Sequence, residues 1–376
     1  PTLRVELART VYNLGAVCLT LQRYDDALLS LRRALELRQA LVDEFEGIPL
    51  YERDLARTHL NLGLVLASQT KYDEARGEFE RAYAIQSKLV DSVEENSQYL
   101  QDLASTGTYL ATVAALQGDH AAAFRGFQRA LAIQRELIEK FPRVPNHKLL
   151  CASTCYHMGE ACVQMGKPSD CLQWLDQALE LLQQAQELFD NDHDTLHTMK
   201  LAYALRGNTL DSLERYAEAV TAWEKATALG NQGEQPVFSA KKANSLVRAG
   251  RVSKGVALAD ELVERDVWPV EELYNLACLY AVASTNITEI TTLTPDDRDL
   301  LAEAYAGKAL AILKRIATAS ESFFATEEGR SLLAKDEDLD VLRCRDEFRE
   351  WAASVGAKLP AAADEPPATT ADILQR

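Results

Sequence analysis

The amino-acid sequence predicts an all-α fold, a right-handed α-solenoid of about seven helix–turn–helix repeats that ends in a C-terminal helical cap. The first observation behind this prediction is a 48-residue period that runs through the first five repeats. The second is the scarcity of helix breakers, because 376 residues contain only 17 glycines and 11 prolines. The third is the spacing of apolar residues, which gives each predicted helix one apolar face.

The repeat is defined by columns of matched residues that recur every 48 positions. An anchor residue, usually glycine, is followed by a small residue, then a large one, then an alanine. These columns are Gly15, Gly63, Ala111, Gly159 and Gly207; Ala27, Ala75, Ala123, Cys171 and Ala219; Leu31, Phe79, Phe127, Leu175 and Trp223; and Ala34, Ala82, Ala130, Ala178 and Ala226. Small residues let two helices approach closely, and the large residue fills the space beside the contact. The pattern therefore predicts closely paired helices.

The first repeats are long, and their additional residues continue the helical pattern. After Ala34 an apolar spacing of four continues through Leu37, Leu41 and Phe45. We expect both helices of these repeats to contain about 20 residues and to extend about 30 Å. Asp25 and Asp26 are expected to open a second helix, where the helix dipole favours acidic residues.

The repeat changes beyond residue 230, and this change sets the predicted domain boundaries. We assign residues 1–230 to five long-helix repeats and residues 231–320 to repeats six and seven. Residues 321–357 are predicted to form a helical capping segment, because the end of a solenoid needs a polar cover. Residues 358–376, with three prolines among alanines, are expected to be a disordered tail. The helical pattern is already under way at the first residue, so we interpret the chain as a piece of a longer protein.

The small–large–small columns resemble the tetratricopeptide repeat. The second repeat carries Tyr51, Asp54-Leu55-Ala56 and Asn61-Leu62-Gly63, and the chain ends with the segments Tyr274–Ala281 and Asp336–Phe348. These segments resemble the repeat regions that follow the kinase domain in bacterial, planctomycete-type Ser/Thr protein kinases. The resemblance implies a docking or regulatory region whose catalysis lies elsewhere; the alternative is a free-standing adaptor built from the same repeats.

Composition narrows the possible functions. Lys and Arg number 40 and Asp and Glu number 57, so the net charge of −17 disfavours nucleic acid and anionic lipid as partners. No apolar run is long enough to span a membrane. Seven cysteines without a disulfide-like arrangement favour a reducing, cytoplasmic location. The sequence lacks a glycine-rich phosphate loop and the kinase signature triplets, so we expect neither enzyme activity nor a cofactor in this chain.

Two groups of potential metal ligands have a simpler explanation as structural residues. Cys151, Cys155 and Cys162 share one predicted helix and Cys171 follows the next turn, so a metal- or redox-responsive module is the alternative function from a different class. The same positions are core columns, and free cysteine packs as a small apolar residue. His193 and His197 are interpreted as part of a solvated cap.

The predicted partner-binding surface is the concave face formed by the first helices. Four successive first helices contribute aromatic, amide and guanidinium groups, which suit a peptide or a partner helix. The eight candidate residues are Arg9, Tyr12, Asn13, Arg57, Asn61, Tyr109, Tyr156 and His157. The two arginines favour an acidic or phosphorylated ligand segment. The alternatives are contact through the convex side or through the cap.

Overall fold

The computed structural model describes residues 2–93, 96–188, 192–265, 268–287, 290, 292–320 and 323–360. Regular secondary structure within these residues is helical, which confirms the predicted all-α class. Contacts between Cα atoms divide the chain into two compact units, residues 1–209 and residues 210–376. We call them the N-terminal unit and the C-terminal unit.

The N-terminal unit is a series of long helices of nearly equal length. The first eight helices contain 19 to 21 residues each, which confirms the predicted length. In chain order the helices are α1 (Thr2–Thr20), α2 (Tyr24–Glu44), α3 (Pro49–Ser68), α4 (Tyr72–Ser92), α5 (Ser97–Leu116), α6 (His120–Lys140), α7 (Pro145–Gln164), α8 (Pro168–Leu188) and α9 (His193–Ser212).

The first and second helices of each repeat pack as a pair, and successive pairs pack on each other. The pairs are α1 with α2, α3 with α4, α5 with α6 and α7 with α8. The second helix of one repeat then packs on the first helix of the next, α2 on α3, α4 on α5 and α6 on α7. Each inner first helix is therefore enclosed by two second helices, its own and that of the preceding repeat.

The turn inside each repeat is a backbone motif that recurs with the same period. The second residue after the first helix has a left-handed φ of +58° at Gln22, +60° at Thr70, +85° at Gly118 and +71° at Gly166. The next backbone N–H bonds a carbonyl five residues earlier, as Arg23 does to Cys18 at 2.8 Å. This hydrogen bond satisfies a helix-end carbonyl in the manner of a Schellman motif. Only two of these four positions are glycine, so the sequence pattern alone did not reveal the column.

The anchor and large columns meet as the sequence predicts. A Cβ atom added at Gly15 would lie 2.7 Å from Leu31 Cγ, and one added at Gly63 would lie 2.5 Å from Phe79 Cε1. Leu31, Phe79, Phe127 and Leu175 are all fully buried. In the third repeat the glycine is in the second helix instead, where a Cβ at Gly126 would lie 2.8 Å from Ala111 Cβ. The predicted close helix approach is confirmed.

The C-terminal unit is built from helices of unequal length around one central helix. Its helices are α10 (Tyr216–Leu229), α11 (Gln235–Arg248), α12 (Val252–Val263), α13 (Val270–Asn286), α14 (Pro295–Ala319), α15 (Glu327–Lys335), α16 (Asp340–Arg343) and α17 (Asp346–Ser354), with a 3₁₀ turn at Glu337–Leu339. Ten residues of α13 are buried. Helix α14 contains 25 residues and α16 only four.

The segment predicted to be a cap packs against α13 and α14. Leu333, Leu339, Leu342 and Phe348 are fully buried there. The Tyr274 hydroxyl of α13 donates to Asp336 Oδ2 at 2.9 Å. The proposed boundaries at residues 230, 320 and 357 stay predictions, and residues 361–376 of the expected tail lie outside the described residues.

The described helices include none whose length and apolar character would let it cross a bilayer.

Paired glycine substitutions test the helix contact. Gly63→Ala should lower the free energy of unfolding by about 1–3 kcal/mol, because the new Cβ would lie 2.5 Å from the buried Phe79 ring. Gly77→Ala is the matched control in the same helix pair, since a Cβ there has no neighbour within 4 Å. That control should gain up to about 1 kcal/mol from helix propensity. Equal effects of the two substitutions in urea denaturation would contradict the assigned contact.

Candidate partner-binding surface

The eight predicted residues are all in first helices, on α1, α3, α5 and α7. The 48-residue period places Arg9 and Arg57 in one column and Tyr12 and Tyr156 in a second. A third column, one position further on, contains Asn13, Asn61, Tyr109 and His157. We call these eight residues the first-helix strip. Its assignment as a binding surface stays a prediction.

Tyr12 is the centre of a contact between the first two repeats. The Arg38 guanidinium carbon lies 4.2 Å from the centroid of the Tyr12 ring, and that of Arg57 lies 5.7 Å from it. Asn61 Nδ2 donates to the Tyr12 hydroxyl at 3.0 Å. We call Tyr12, Arg38, Arg57 and Asn61 the Tyr12 cluster. It is partly open to solvent, because Arg57 is exposed and Tyr12 and Asn61 are half-buried.

Arg38 is the buried member of this cluster, with 4% of its surface exposed. One terminal nitrogen, Nη1, donates to the Asp54 carbonyl oxygen at 2.7 Å and to Thr58 Oγ1 at 2.8 Å. Burial lowers the pKa of Arg38; the Asp54 carboxylate raises it and the Arg57 guanidinium lowers it. The Asp54 carboxylate lies 3.8 Å from Arg38 Nη2 and compensates its charge, which leaves Arg57 as the exposed cation of the cluster.

Tyr109 and His157 occupy equivalent positions and make equivalent contacts. Tyr109 stacks on Phe79 and His157 stacks on Phe127, each pair with ring centroids 5.7 Å apart and an interplanar angle of 15°. The supporting rings are the large residues of the helix-pairing column and are buried. Tyr109 and His157 are thus each supported by the ring that closes the preceding helix pair.

Glu160 joins the two strip residues of α7. It accepts a hydrogen bond from the Tyr156 hydroxyl at 2.8 Å, and its other oxygen lies 2.8 Å from His157 Nδ1. The Tyr156 and His157 rings meet edge to face, with centroids 5.2 Å apart. Burial raises the pKa of Tyr156, and the Glu160 carboxylate raises it further. Tyr156 is therefore a neutral hydrogen-bonding group at ordinary pH.

The structure joins some of the predicted residues and not others. Tyr12, Arg57 and Asn61 form one cluster, and Tyr156 and His157 form another. The remaining three lie apart: Arg9 is exposed and pairs with Glu6 at 2.5 Å, Asn13 is exposed, and Tyr109 stacks on Phe79. Arg38 is a member that the sequence analysis missed. The signal was a column of long polar residues, Arg38, Gln86 and Gln134, on otherwise apolar second-helix faces.

A second kind of surface lies between successive second helices. Three grooves have volumes of about 370, 380 and 290 Å³, and each is floored by a first helix. The groove of 380 Å³ is bordered by Arg76, Glu80 and Arg129 and floored by Leu110 and Gly107. None of the eight strip residues lines these three grooves. They correspond to the convex-side alternative.

The four cysteines of the alternative metal or redox module are buried. Cys162 and Cys171 pack in an apolar cluster with Leu175, Leu179 and Ala202. Burial raises the pKa of Cys162 to about 11, which disfavours the thiolate form that binds metals. His193, by contrast, is exposed at the start of α9, and its Nδ1 lies 3.4 Å from Asp194 Oδ1.

Another group of potential ligand atoms occurs in the C-terminal unit. Among the described residues, Cys278, Asp336 and Asp338 are the group of three potential ligands whose atoms lie within 4.8 Å of one another. Both carboxylate oxygens of Asp338 already accept hydrogen bonds from Arg248 Nη2, at 2.7 and 2.5 Å. The guanidinium neutralises this carboxylate, so the group reads as a structural ion pair that attaches the C-terminal segment to α11.

Comparison with known protein families finds one repeat directly. Residues 8–41, which span most of α1 and most of α2, match the family model described as tetratricopeptide repeat. The pairs α3 with α4, α5 with α6 and α7 with α8 repeat the helix–turn–helix arrangement of this matched segment. No curated protein matches the sequence significantly.

Solved structures with similar folds are distant in sequence. The apo form of RapI is 14% identical, with a TM-score of 0.49, and the match covers 83% of this chain and 99% of that one. Aspartyl phosphate phosphatase F from Bacillus subtilis is 15% identical, with a TM-score of 0.49, covering 82% and 70%. These similarities are too low to assign a function.

Removal of one hydroxyl tests the Tyr12 cluster. Tyr12→Phe keeps the ring between the guanidinium groups but deprives Asn61 of its acceptor, so the free energy of unfolding should fall by about 0.5–1.5 kcal/mol. Tyr109→Phe is the control, because no described residue hydrogen-bonds the Tyr109 hydroxyl; its stability should not change. Indistinguishable urea midpoints for the two variants would contradict the assigned hydrogen bond.

Proposed function

We propose that the N-terminal unit is a docking scaffold that binds an extended segment of a partner protein along the first-helix strip. The observation that carries this proposal is the Tyr12 cluster, in which Arg57 lies over an aromatic ring and is exposed. No described residue forms an ion pair with Arg57. Arginine and tyrosine are among the residue types most often found as interface hot spots.

We further propose that the bound segment carries an acidic or phosphorylated residue at this cluster. Arg38 is buried and already pairs with the Asp54 carboxylate at 3.8 Å, so the exposed Arg57 is the cation that a ligand would contact. Arg9 contributes less because Glu6 already pairs with it. A phosphate or carboxylate on the ligand would accept charge-assisted hydrogen bonds from Arg57. The Tyr156, His157 and Glu160 group would then contact a second part of the segment.

Peptide binding tests the anionic contact. Degenerate peptide libraries with a central phosphoserine, glutamate or alanine are passed over the immobilised protein, and retained peptides are identified and titrated by fluorescence anisotropy. Phosphoserine or glutamate peptides should be retained preferentially. Arg57→Ala should weaken their binding about tenfold or more, since a charge-assisted hydrogen bond is lost. Arg129→Ala is the control, because Arg129 borders the groove of 380 Å³ instead.

Two outcomes would contradict the proposal. If alanine peptides are retained as well as phosphoserine and glutamate peptides, the proposed anionic contact is contradicted. Loss of binding on Arg129→Ala together with normal binding of Arg57→Ala would move the site to the grooves between second helices. Those grooves are the second candidate surface, because the apolar floor and charged border of the largest one could hold a partner helix.

The attachment of this scaffold to a Ser/Thr protein kinase is the finer proposal, and the resemblance of the repeat subtype supports it. In that arrangement the scaffold presents a captured partner to the kinase domain. The test uses the natural full-length protein: a peptide retained by the scaffold and extended with serines should be phosphorylated faster than an unretained one. Arg57→Ala should abolish the difference without changing the phosphorylation of the unretained peptide. If the full-length protein has no kinase activity, the kinase attachment is contradicted and the free-standing adaptor is favoured.

A further inference from the structure

Two histidines lie together in the first turn of α9 and are open to solvent. His193 is the first residue of the helix and His197 follows four residues later, so both side chains lie on one face. Their rings are stacked, with centroids 6.3 Å apart and an interplanar angle of 8°. The side chain of His193 is 93% exposed, and His197 is exposed as well. The helix therefore presents two imidazoles to solvent at a fixed spacing.

The other four histidines of the chain are shielded by the fold. His59 and His147 are buried, and His120 and His157 are half-buried. In the described part of the chain, no hydrogen bond or ion pair engages His197 or the Nε2 atom of His193. Ring nitrogens of the exposed pair are therefore available to a ligand.

The repeat does not require histidine at either position. The 48-residue equivalents are Pro49, Ser97 and Pro145 for His193, and Arg53, Gln101 and Leu149 for His197. Proline is a residue that favours the first turn of a helix. The three equivalents of His197 are all partly buried, whereas His197 is exposed. Neither helix formation nor packing therefore explains the pair.

A side-chain cap fixes the backbone under the two rings. Asp192 precedes the helix, and its Oδ2 accepts hydrogen bonds from the backbone N–H of Thr195 at 2.9 Å and from the Thr195 hydroxyl at 2.7 Å. Such a cap stabilises the first helical turn. The backbone separation of His193 and His197 is thus set before any ligand binds, while the exposed rings can still rotate.

Asp194 supplies a carboxylate beside one of the rings. Its Oδ1 lies 3.4 Å from His193 Nδ1. When Nδ1 carries the proton and donates it to this carboxylate, the lone pair of Nε2 is left free, which is the arrangement typical of metal-binding histidines. The negative charges of Asp192 and Asp194 also offset the positive end of the helix dipole, which by itself would disfavour a cation.

We propose that His193 and His197 chelate one divalent transition metal ion of the zinc type, each through Nε2. Residues 193–197 have the spacing of the helical H-E-x-x-H zinc motif, with aspartate in place of its glutamate. Imidazole suits Zn²⁺, Cu²⁺ and Ni²⁺, whereas Mg²⁺ and Ca²⁺ prefer oxygen ligands. The stacked rings turn until both Nε2 atoms lie about 2.0–2.1 Å from the ion, which their exposure permits. Water completes the coordination shell, and the ion clamps the first turn of α9.

The direct test is calorimetric titration of the full chain with zinc chloride, in a buffer that does not bind metal. The chain should bind one Zn²⁺. His193→Ala and His197→Ala should each weaken binding about tenfold or more, because a single imidazole cannot chelate. His120→Ala is the matched control, since His120 is also the first residue of a helix but has Phe124 one turn later. Its affinity for zinc should equal that of the wild type.

A spacing variant separates a chelate from the mere presence of two histidines. Combined His197→Ala and Thr198→His keeps two histidines but places them five residues apart, on different faces of the helix. This variant should bind zinc as weakly as His197→Ala alone. Asp194→Asn should weaken zinc binding about tenfold, because the carboxylate that orients the His193 ring is lost.

Two results would overturn the proposal. The first is zinc binding that persists when His193→Ala and His197→Ala are combined. A thiolate charge-transfer band of bound Co²⁺ would then place the metal on the cysteines. The second is equal zinc affinity of the wild type and the spacing variant, which would show that the two imidazoles do not act together.

Discussion

The structure of the N-terminal unit depends on one close contact, repeated in each helix pair between a small residue and a large one. Gly63 leaves room for the Phe79 ring, and no larger side chain would fit at the observed distance. Phe79 in turn supports Tyr109, whose ring stacks on it. The residue that closes a helix pair thus also positions an aromatic group of the strip on the following repeat. The same sequence of contacts places His157 on Phe127. Helix packing and the candidate binding surface are consequently coupled. A substitution at the anchor column would alter the helix pair and also the aromatic ring of the strip that the pair supports.

Between the pairs, the contact has a polar centre as well as an apolar one. Arg38, Gln86 and Gln134 are buried at one column, opposite the threonine column of the next first helix. Only Arg38 obtains strong hydrogen bonds to its neighbour, and the amide of Gln86 has no described partner. A buried amide without a partner costs about 1–3 kcal/mol. In the fourth repeat the column changes to Leu182 opposite Ala202, both fully buried. The unpaired Gln86 amide therefore carries an energetic cost that Leu182 avoids at the same column of the fourth repeat.

Much of the fold could be predicted from the sequence, because the period and the small residues follow directly from helix packing. Less of the site could be predicted. The structure brings Arg57 and Asn61 of the predicted strip beside Tyr12, and their role in partner binding stays a prediction. Arg38 was missed, since a single arginine on an amphipathic helix is usually solvated. The turn column was missed because Gln22 and Thr70 adopt a left-handed conformation that sequence rules assign to glycine. The burial of Arg38 depends on Asp54 and Thr58 of the next helix, whereas the turn conformation is closed by a local backbone hydrogen bond that needs no particular side chain.

The distribution of charge restricts the kind of partner that would fit the first-helix strip. The whole chain has a net charge of −17, so an acidic ligand is repelled at long range. Screening at physiological salt limits that repulsion to about 8 Å, whereas contacts within the Tyr12 cluster are much shorter. An anionic group can therefore be favoured at Arg57 even though the surrounding surface disfavours it. The same field attracts basic residues. A matching segment would accordingly combine one phosphate or carboxylate with neutral or basic flanks. In a uniformly acidic segment, repulsion of the flanks by the acidic surface would offset the attraction of the central anion to Arg57.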